Sequence, residues 1–243
     1  MERAEAVRSM RHALITRYAV RFAEDNLRRR FEERDNWLEY RLGLFHKYTL
    51  PSVQAQTYKD FDWWIVIDPT FPGIESHIEH LSAFASILKI QAYWKEAQVE
   101  IGEALRDTYN KEWVCSTRLD SDDIIANDFM MKVVELAQEK SYVGFPNGYM
   151  LKDKQACDRN YDLNSFVSYV EYADPFESVF RTCHTKVNRP WQTVPLILDT
   201  TPMWIQVDHS DNIKNLVEKK IEAFDKNSFD AEQLRSKFTW SSI

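Results

Sequence analysis

Trp113-Val-Cys-Ser-Thr-Arg-Leu-Asp-Ser-Asp-Asp-Ile-Ile125 is an apolar run that ends in three carboxylates, Asp120, Asp122 and Asp123. Like charges a few ångströms apart repel, and proteins relieve them by raising a pKa, adding an arginine or binding a hard divalent cation through oxygen. The residues before the cluster have the character of a strand and those after it the character of a helix, so the carboxylates fall at the carboxyl end of a strand. In open α/β sheets ligands bind at that edge. The stretch therefore predicts an α/β fold with a cation at Asp120, Asp122 and Asp123 that in turn holds a phosphorylated substrate.

On the amino side, Phe61-Asp-Trp-Trp-Ile-Val-Ile-Asp68 is a second apolar run, stopped by Asp68-Pro69, with the character of a buried strand. His12 to Phe22 is β-branched and aromatic in patches and predicts a first strand reaching Val20. Between these runs Leu38, Leu42 and Phe45 recur at helical spacing, on a helix that Pro51 should end or kink. Ile74 to Leu88 reads as a helix with Ile78, Leu81 and Phe84 inward, Lys89 to Trp94 as a short ambiguous strand, and Ile101 to Tyr109 as another helix. On the carboxyl side Ile125, Phe129, Val133 and Leu136 form a helical stripe with Asn127 as its N-cap. Alternating strands and helices predict a mainly parallel sheet covered on both faces. After Tyr142 the segments Val143-Gly-Phe-Pro-Asn-Gly-Tyr-Met, Ser165-Phe-Val-Ser-Tyr-Val-Glu-Tyr and Trp204-Ile-Gln-Val predict short strands that add antiparallel pairing. Asp211 to Lys237, with Ile213, Val217, Ile221 and Phe224 at helical spacing, predicts a terminal amphipathic helix.

A length of 243 residues suits one domain with a sizeable core. A formal charge of -7 leaves no electrostatic footprint for nucleic acid, so an anionic ligand must be met by local cations. Three cysteines without CxxC spacing suggest neither a disulfide framework nor a zinc cluster, which fits a reducing, cytoplasmic setting. The start lacks the apolar core of a signal peptide, and no run approaches the roughly 18 apolar residues of a membrane span.

Several segments then resemble a known group. Leu50-Pro-Ser-Val-Gln-Ala-Gln-Thr-Tyr-Lys-Asp-Phe-Asp-Trp-Trp-Ile-Val-Ile-Asp68 is similar to the opening of family-2-type glycosyltransferases, and Thr117-Arg-Leu-Asp-Ser-Asp-Asp123 resembles their DxD segment. With Trp37-Leu-Glu-x-Arg-Leu-x-Leu-Phe and Trp204-Ile-Gln-Val-x-His209-x-x-Asn212, the ordered set resembles a bacterial group named for rhamnosyl transfer. That resemblance runs from Arg17 to about Asn215. It implies a GT-A fold, with a nucleotide-sugar-binding half at about 12–140, an acceptor half at about 141–210 and a helical tail at 211–243. It also implies a UDP-, GDP- or dTDP-sugar donor, a glycan or lipid-linked acceptor, and Mn²⁺ or Mg²⁺ between diphosphate and protein. Chemistry agrees: a bound cation stabilises negative charge growing on a leaving diphosphate.

By the resemblance, Asp120 faces the donor ribose or sugar, Asp122 reaches the metal, and Asp123 supports them or touches the sugar. A cap on the following helix is the structural alternative for any of the three. His209 returns to complete a metal site with Asp120 and Asp122, with His184 as a competitor for that role. Asp68 binds the base or merely starts a turn. Arg118 pairs with pyrophosphate or only balances the aspartates. Thr16 and Arg17 line the nucleotide cleft, and Arg106 matches an arginine on the helix before the DxD strand, although the R-N-x-G pattern is absent. Inverting members deprotonate the acceptor with a carboxylate; the candidates are Glu177 and Asp174, with Glu171 behind them. Trp63 and Trp64 read as core, whereas Trp191 and Trp204 are candidates for stacking on an acceptor. The terminal helix offers a homodimer contact or a peripheral membrane contact, although alternating Lys and Glu favour a plain solvated face.

Overall fold

A computed structural model describes residues 10–22, 36–162, 164–187, 193–209 and 227–241. Its centre is a seven-stranded sheet in the order β10-β6-β9-β4-β1-β2-β3. The strands are β1 (Arg11–Ala19), β2 (Asp62–Ile67), β3 (Ser86–Lys89), β4 (Trp113–Asp120), β6 (Tyr142–Gly144), β9 (Val167–Tyr172) and β10 (Leu196–Leu198). β3, β2, β1 and β4 are parallel, while β9 runs antiparallel between β4 and β6. The mixed, mainly parallel α/β sheet expected from the sequence is thus the observed one.

Side chains of a strand alternate between faces, and here both faces are buried. Leu14, Ile65, Ile67, Cys115 and Leu119 enter one core, and Ala13, Ile15, Val66 and Val114 enter the other. That two-sided burial is why the strands read as continuous apolar runs. Helices α1 (Trp37–Leu44), α2 (Leu50–Gln54), α3 (Ile74–Leu81) and α5 (Phe129–Leu136) supply residues to the first core, and α4 (Trp94–Tyr109) supplies the second.

Several boundaries differ from expectation for physical reasons. Pro51 neither ends nor breaks its helix: a π-helical turn, Phe45–Thr49, precedes it, and Pro51 falls in the first turn of α2, where no amide is needed. β3 takes the tail of the helix expected to reach Leu88, because Ser86 to Lys89 pair in register with Trp64 to Ile67. Phe84 is exposed rather than inward. Helix α4 begins at Trp94, well before Ile101, with no side-chain cap to mark its start. Of the expected terminal helix, residues 210–226 lie outside the described residues. The described part from 227 onward instead holds β12 (Phe229–Asp230) and a 3₁₀ turn, Ala231–Leu234.

A second sheet has the order β12-β8-β7-β11-β5, with β5 (Ile124–Ile125), β7 (Asn147–Lys152), β8 (Gln155–Asn160) and β11 (Trp204–Val207). The expected antiparallel additions appear as the β7–β8 hairpin and as β9, but β11 pairs parallel with β7. β5 follows Asp123 directly and pairs antiparallel with β11, Trp204 opposite Ile125 and Ile205 opposite Ile124. This pairing brings the end of β11 beside the carboxylates.

The turn after the carboxylates is held from α2. Gln56, 1% exposed, donates from Nε2 to Ser52 O at 2.9 Å and Ala126 O at 2.7 Å, and its Oε1 accepts from Met130 N at 3.0 Å. Met130 N is one of the first-turn amides that α5 cannot satisfy itself. The N-cap position is Asp128, without a side-chain cap, rather than Asn127, whose Oδ1 accepts from Thr239. Gln56 thus caps α5 from the segment just past the end of α2. Gln56→Ala should cost about 2 kcal/mol, since it strands a buried amide and a buried carbonyl. Chemical denaturation of the two proteins measures this, and an unchanged midpoint would refute it.

Candidate donor site

The carboxyl ends of β1 and β4 lie side by side, with Arg17 opposite Asp120 in the register. Arg17 Nη2 is 3.1 Å from Asp120 Oδ1, and Arg118 Nη2 is 3.4 Å from Asp120 Oδ2. Aromatic faces orient both guanidiniums. Arg17 lies 4.9 Å over the Trp94 ring, Arg118 lies 5.4 Å over Phe180, and those two rings meet edge to face at 5.3 Å. His184 Nδ1 is 3.1 Å from Arg118 Nη1, so His184 joins the arginine side of the cluster rather than Asp122.

Asp122 faces a different set. Its Oδ2 lies 2.7 Å from His209 Nε2 and 2.9 Å from Arg41 Nη1, and Arg41 Nη2 also donates to Ser121 Oγ. The expected return of His209 from the end of β11 is therefore present in the geometry. Arg41 belongs to the Trp37-Leu-Glu-x-Arg segment, for which the family resemblance implies no individual role for the arginine. The π turn explains its position. Eight residues separate Arg41 from Thr49, whose Oγ1 donates to Asp123 O at 3.0 Å. At about 100° per residue that spacing leaves the two well apart in azimuth, but the extra residue of the π turn brings them within roughly 20° of one face.

Asp123 is tied down. Its Oδ1 accepts from Val207 N at 3.0 Å, so it fastens β11 to the cluster and caps no helix. The environments of the three carboxyls separate their ionisation. Burial alone would raise Asp120, but Arg17 and Arg118 outweigh it and hold that carboxyl below its usual range. Burial is likewise outweighed at Asp122 by Arg41 and His209. At Asp123 burial and the neighbouring charges of Asp122 and Asp120 act together and push it well above the usual range. Three guanidiniums therefore face two firmly ionised carboxylates and one held toward neutrality. Among the described residues, Arg41 Nε and Arg118 Nε are buried without a hydrogen-bond acceptor. The site has cationic donors to spare, which suits an anionic ligand.

Other expected site residues do not join this cluster, although Asp68, just past the end of β2, shares its carboxyl edge. Thr16 is fully buried and its hydroxyl accepts from Trp63 Nε1 at 2.9 Å, so it faces the core and not a cleft. Trp63 is core as expected, and Trp64 is partly buried with its indole on Tyr109. Asp68 starts a turn: its Oδ1 accepts from Thr70 N at 2.8 Å and Thr70 Oγ1 at 2.6 Å, and its Oδ2 pairs with Arg21 at 3.1 Å. Arg106 is exposed on the last turns of α4, which end at the amino edge of the sheet where Tyr109 meets Asp62, opposite the carboxylates. Asp174 is also at that edge, just past Tyr172, which pairs with Trp113 at the start of β4. Glu177 is half exposed and paired with Arg181. Neither carboxylate is brought to the cluster, because β9 runs antiparallel and carries its end away from it. Trp204 is 1% exposed, stacked on Phe166 at 5.0 Å with its indole donating to Phe145 O, and cannot receive an acceptor. Trp191 lies outside the described residues. A recess of about 430 Å³ bordered by Arg11, Lys111, Glu112, Trp113 and Tyr172 lies at the amino edge, away from the carboxylates.

Glu171 is a structural staple. It accepts from Glu177 N at 3.0 Å and Ser178 N at 2.8 Å. Burial pushes its carboxyl up to about 7 from an ordinary 4.5, the two amides pulling the other way. Between those pH values the folded chain keeps a proton that the unfolded chain has lost. Stability from this group is therefore fully present below about pH 4.5 and is lost as pH rises to 7, on the order of 3 kcal/mol in all. Unfolding followed from pH 4 to 8 should show that downward contribution, and Glu171→Gln should remove it; identical slopes would mean that Glu171 ionises normally.

A mainly parallel sheet with an antiparallel β9, a second sheet at its carboxyl edge and an Asp-x-Asp turn there make up a GT-A architecture. Residues 6–220 match the family model described as "Putative rhamnosyl transferase", and the chain belongs to this family of glycosyltransferases. No curated protein matches the sequence significantly. Among solved structures, the chain is similar to S. aureus TarS residues 1–349 at 10% identity and TM-score 0.40, covering 82% of this chain and 60% of that one. The same fragment in complex with UDP gives 10% identity, TM-score 0.41, and coverage of 82% and 61%. The crystal structure titled S. aureus TarS gives 12%, 0.41, and coverage of 82% and 37%. This chain spans between 37% and 61% of the length of those chains. Among the described residues, no helix is long and apolar enough to cross a membrane.

Proposed function

We propose that the chain transfers a sugar from a nucleotide-diphosphate donor (a UDP-, GDP- or dTDP-sugar) to a hydroxyl of a glycan or lipid-linked acceptor, with inversion and with Mn²⁺ or Mg²⁺. The observation that supports this reading is the meeting of Asp120, Asp122, His209 and three arginines at one point of the carboxyl edge. Rhamnose as the transferred sugar rests on the family description alone.

The residues fit a divalent ion of this kind. Asp122 Oδ2 and His209 Nε2 lie 2.7 Å apart, and carboxylate oxygen with imidazole is a donor set that Mn²⁺ accepts, whereas Mg²⁺ would lean on the oxygens. Among the described residues, no three His, Cys, Asp or Glu side chains surround one point closely enough to cage a metal. Two protein ligands with open positions match the preference of these ions for waters and substrate phosphates. Asp122 and His209 would hold the ion, and Asp120 would face the ribose or sugar. Bound there, the ion supplies Lewis-acid stabilisation of the departing diphosphate. Arg17 and Arg118, held flat by Trp94 and Phe180, add fixed positive charge that needs no reorganisation as the sugar–phosphate bond breaks.

A donor screen tests the reading. Purified protein with Mn²⁺ should release nucleoside diphosphate from one sugar nucleotide, and NMR of the product should show an inverted anomeric centre. Release of pyrophosphate from a nucleoside triphosphate and a sugar phosphate would instead define a nucleotidyltransferase. Tight nucleotide binding without turnover would define a binding scaffold on this fold.

A further inference from the structure

Arg41 sits on the same carboxylate oxygen that a divalent ion would use. Asp122 Oδ2 carries Arg41 Nη1 at 2.9 Å and His209 Nε2 at 2.7 Å, so the charge of Asp122 is already answered before any ion arrives. The guanidinium is a well-made occupant. Its side chain is 11% exposed, its second amino group is on Ser121, and its Nε is buried without an acceptor. A guanidinium and a hard cation cannot both bond closely to one carboxylate oxygen without repelling each other. Asp120 is paired with two other guanidiniums, Arg17 at 3.1 Å and Arg118 at 3.4 Å, each on a different oxygen.

We propose that Arg41 is a resident counter-ion that keeps Asp122 closed to a divalent ion until the donor diphosphate draws the guanidinium away, so that Arg41 couples ion binding to donor binding. The inference rests on the donor-site reading above and deepens it. Arg41 has a reason to leave, because its fork pairs more fully with two phosphate oxygens than with one carboxylate oxygen. By linkage, a donor that removes Arg41 from Asp122 tightens the ion by the factor that the ion tightens the donor. Arg41 is a positioning residue in this scheme: it sets the order in which charges assemble and leaves the sugar untouched.

The test is Mn²⁺ binding followed by electron paramagnetic resonance, which reads free ion and needs no turnover. In the absence of nucleotide, Arg41→Ala should bind Mn²⁺ at least tenfold more tightly than wild type, and Arg41→Lys should fall between them. With saturating UDP the gap should close to within about threefold, because UDP has already displaced Arg41 from wild type. The double variant Arg41→Ala, Asp122→Asn should lose the gain, which assigns it to Asp122 rather than to a loosened fold. Circular dichroism of each variant checks folding, and Arg41→Lys keeps the test valid if alanine fails to fold. Equal Mn²⁺ affinity of wild type and both variants without nucleotide overturns the inference alone. No Mn²⁺ binding to any of them, with UDP or without, overturns it together with the metal reading.

Discussion

Asp122→Ala is expected to lower kcat/KM for sugar transfer about 10³-fold while leaving the circular dichroism spectrum intact. A loss of that size corresponds to about 4 kcal/mol of transition-state stabilisation, the scale on which a single electrostatic partner at a leaving group acts. Asp122 earns that estimate from its position. One oxygen of its carboxylate receives both His209 and Arg41. Without it, His209 has no second ligand to aim beside and Arg41 is left as a buried, unanswered charge. Asp122→Asn separates the two consequences, since the amide oxygen still accepts from Arg41 but lacks the charge that holds a cation. Both variants should fall together in activity, and asparagine should be the more stable. A tenfold loss or less in both would remove Asp122 from the donor site.

Trp204→Ala is expected to cost about 3–5 kcal/mol of stability, the range for truncating a large buried aromatic. The ring is stacked on Phe166 with planes only 8° apart, and its indole donates to Phe145 O at 2.6 Å. Gly148 passes so close that a Cβ there would lie 2.2 Å from the ring. Removing the indole therefore leaves a cavity beside the Gly148 backbone and takes one of two donors from Phe145 O, which keeps Asn164 Nδ2 at 2.8 Å. Trp204 also opens β11, whose far end carries Val207 to Asp123 and His209 to Asp122. Loss of stability should thus appear with weakened Mn²⁺ binding, although Trp204 lies outside the donor cluster. Trp204→Phe keeps most of the stacking and should cost less than half as much. Equal unfolding midpoints for wild type and alanine, measured in guanidinium, would show that the seam between the two sheets holds without this ring.

What the sequence shows and what it hides follow the range of the interactions. The strands β1, β2 and β4 were legible because burial on both faces writes itself as an unbroken apolar run. The acidic turn at a strand end was legible in the local pattern, and the approach of His209 to Asp122 was expected from the family resemblance. Arg41 was hidden because its contact with Asp122 spans 81 positions and depends on a π turn that no local pattern announces. The same holds for Gln56, which caps a helix 74 positions away. Asp174 and Glu177 looked plausible as bases by composition. Asp174 follows the end of antiparallel β9 at the amino edge and Glu177 pairs with Arg181 on the segment that returns from it, a reversal that the single-sequence pattern does not encode. Thr16 and Trp204 both point into the core, each with its polar atom bonded inside, which the strand pattern alone does not reveal.

The account rests on an acidic turn that answers a donor diphosphate through a shared cation. Calorimetric titration of UDP, GDP and dTDP into the protein, with Mn²⁺ and then with excess chelator, tests this most directly. At least one nucleoside diphosphate should bind with micromolar affinity in Mn²⁺, weaken at least tenfold on chelation, and lose that metal dependence in Asp122→Ala. Binding of the same strength with and without Mn²⁺, unchanged by the substitution, would contradict it.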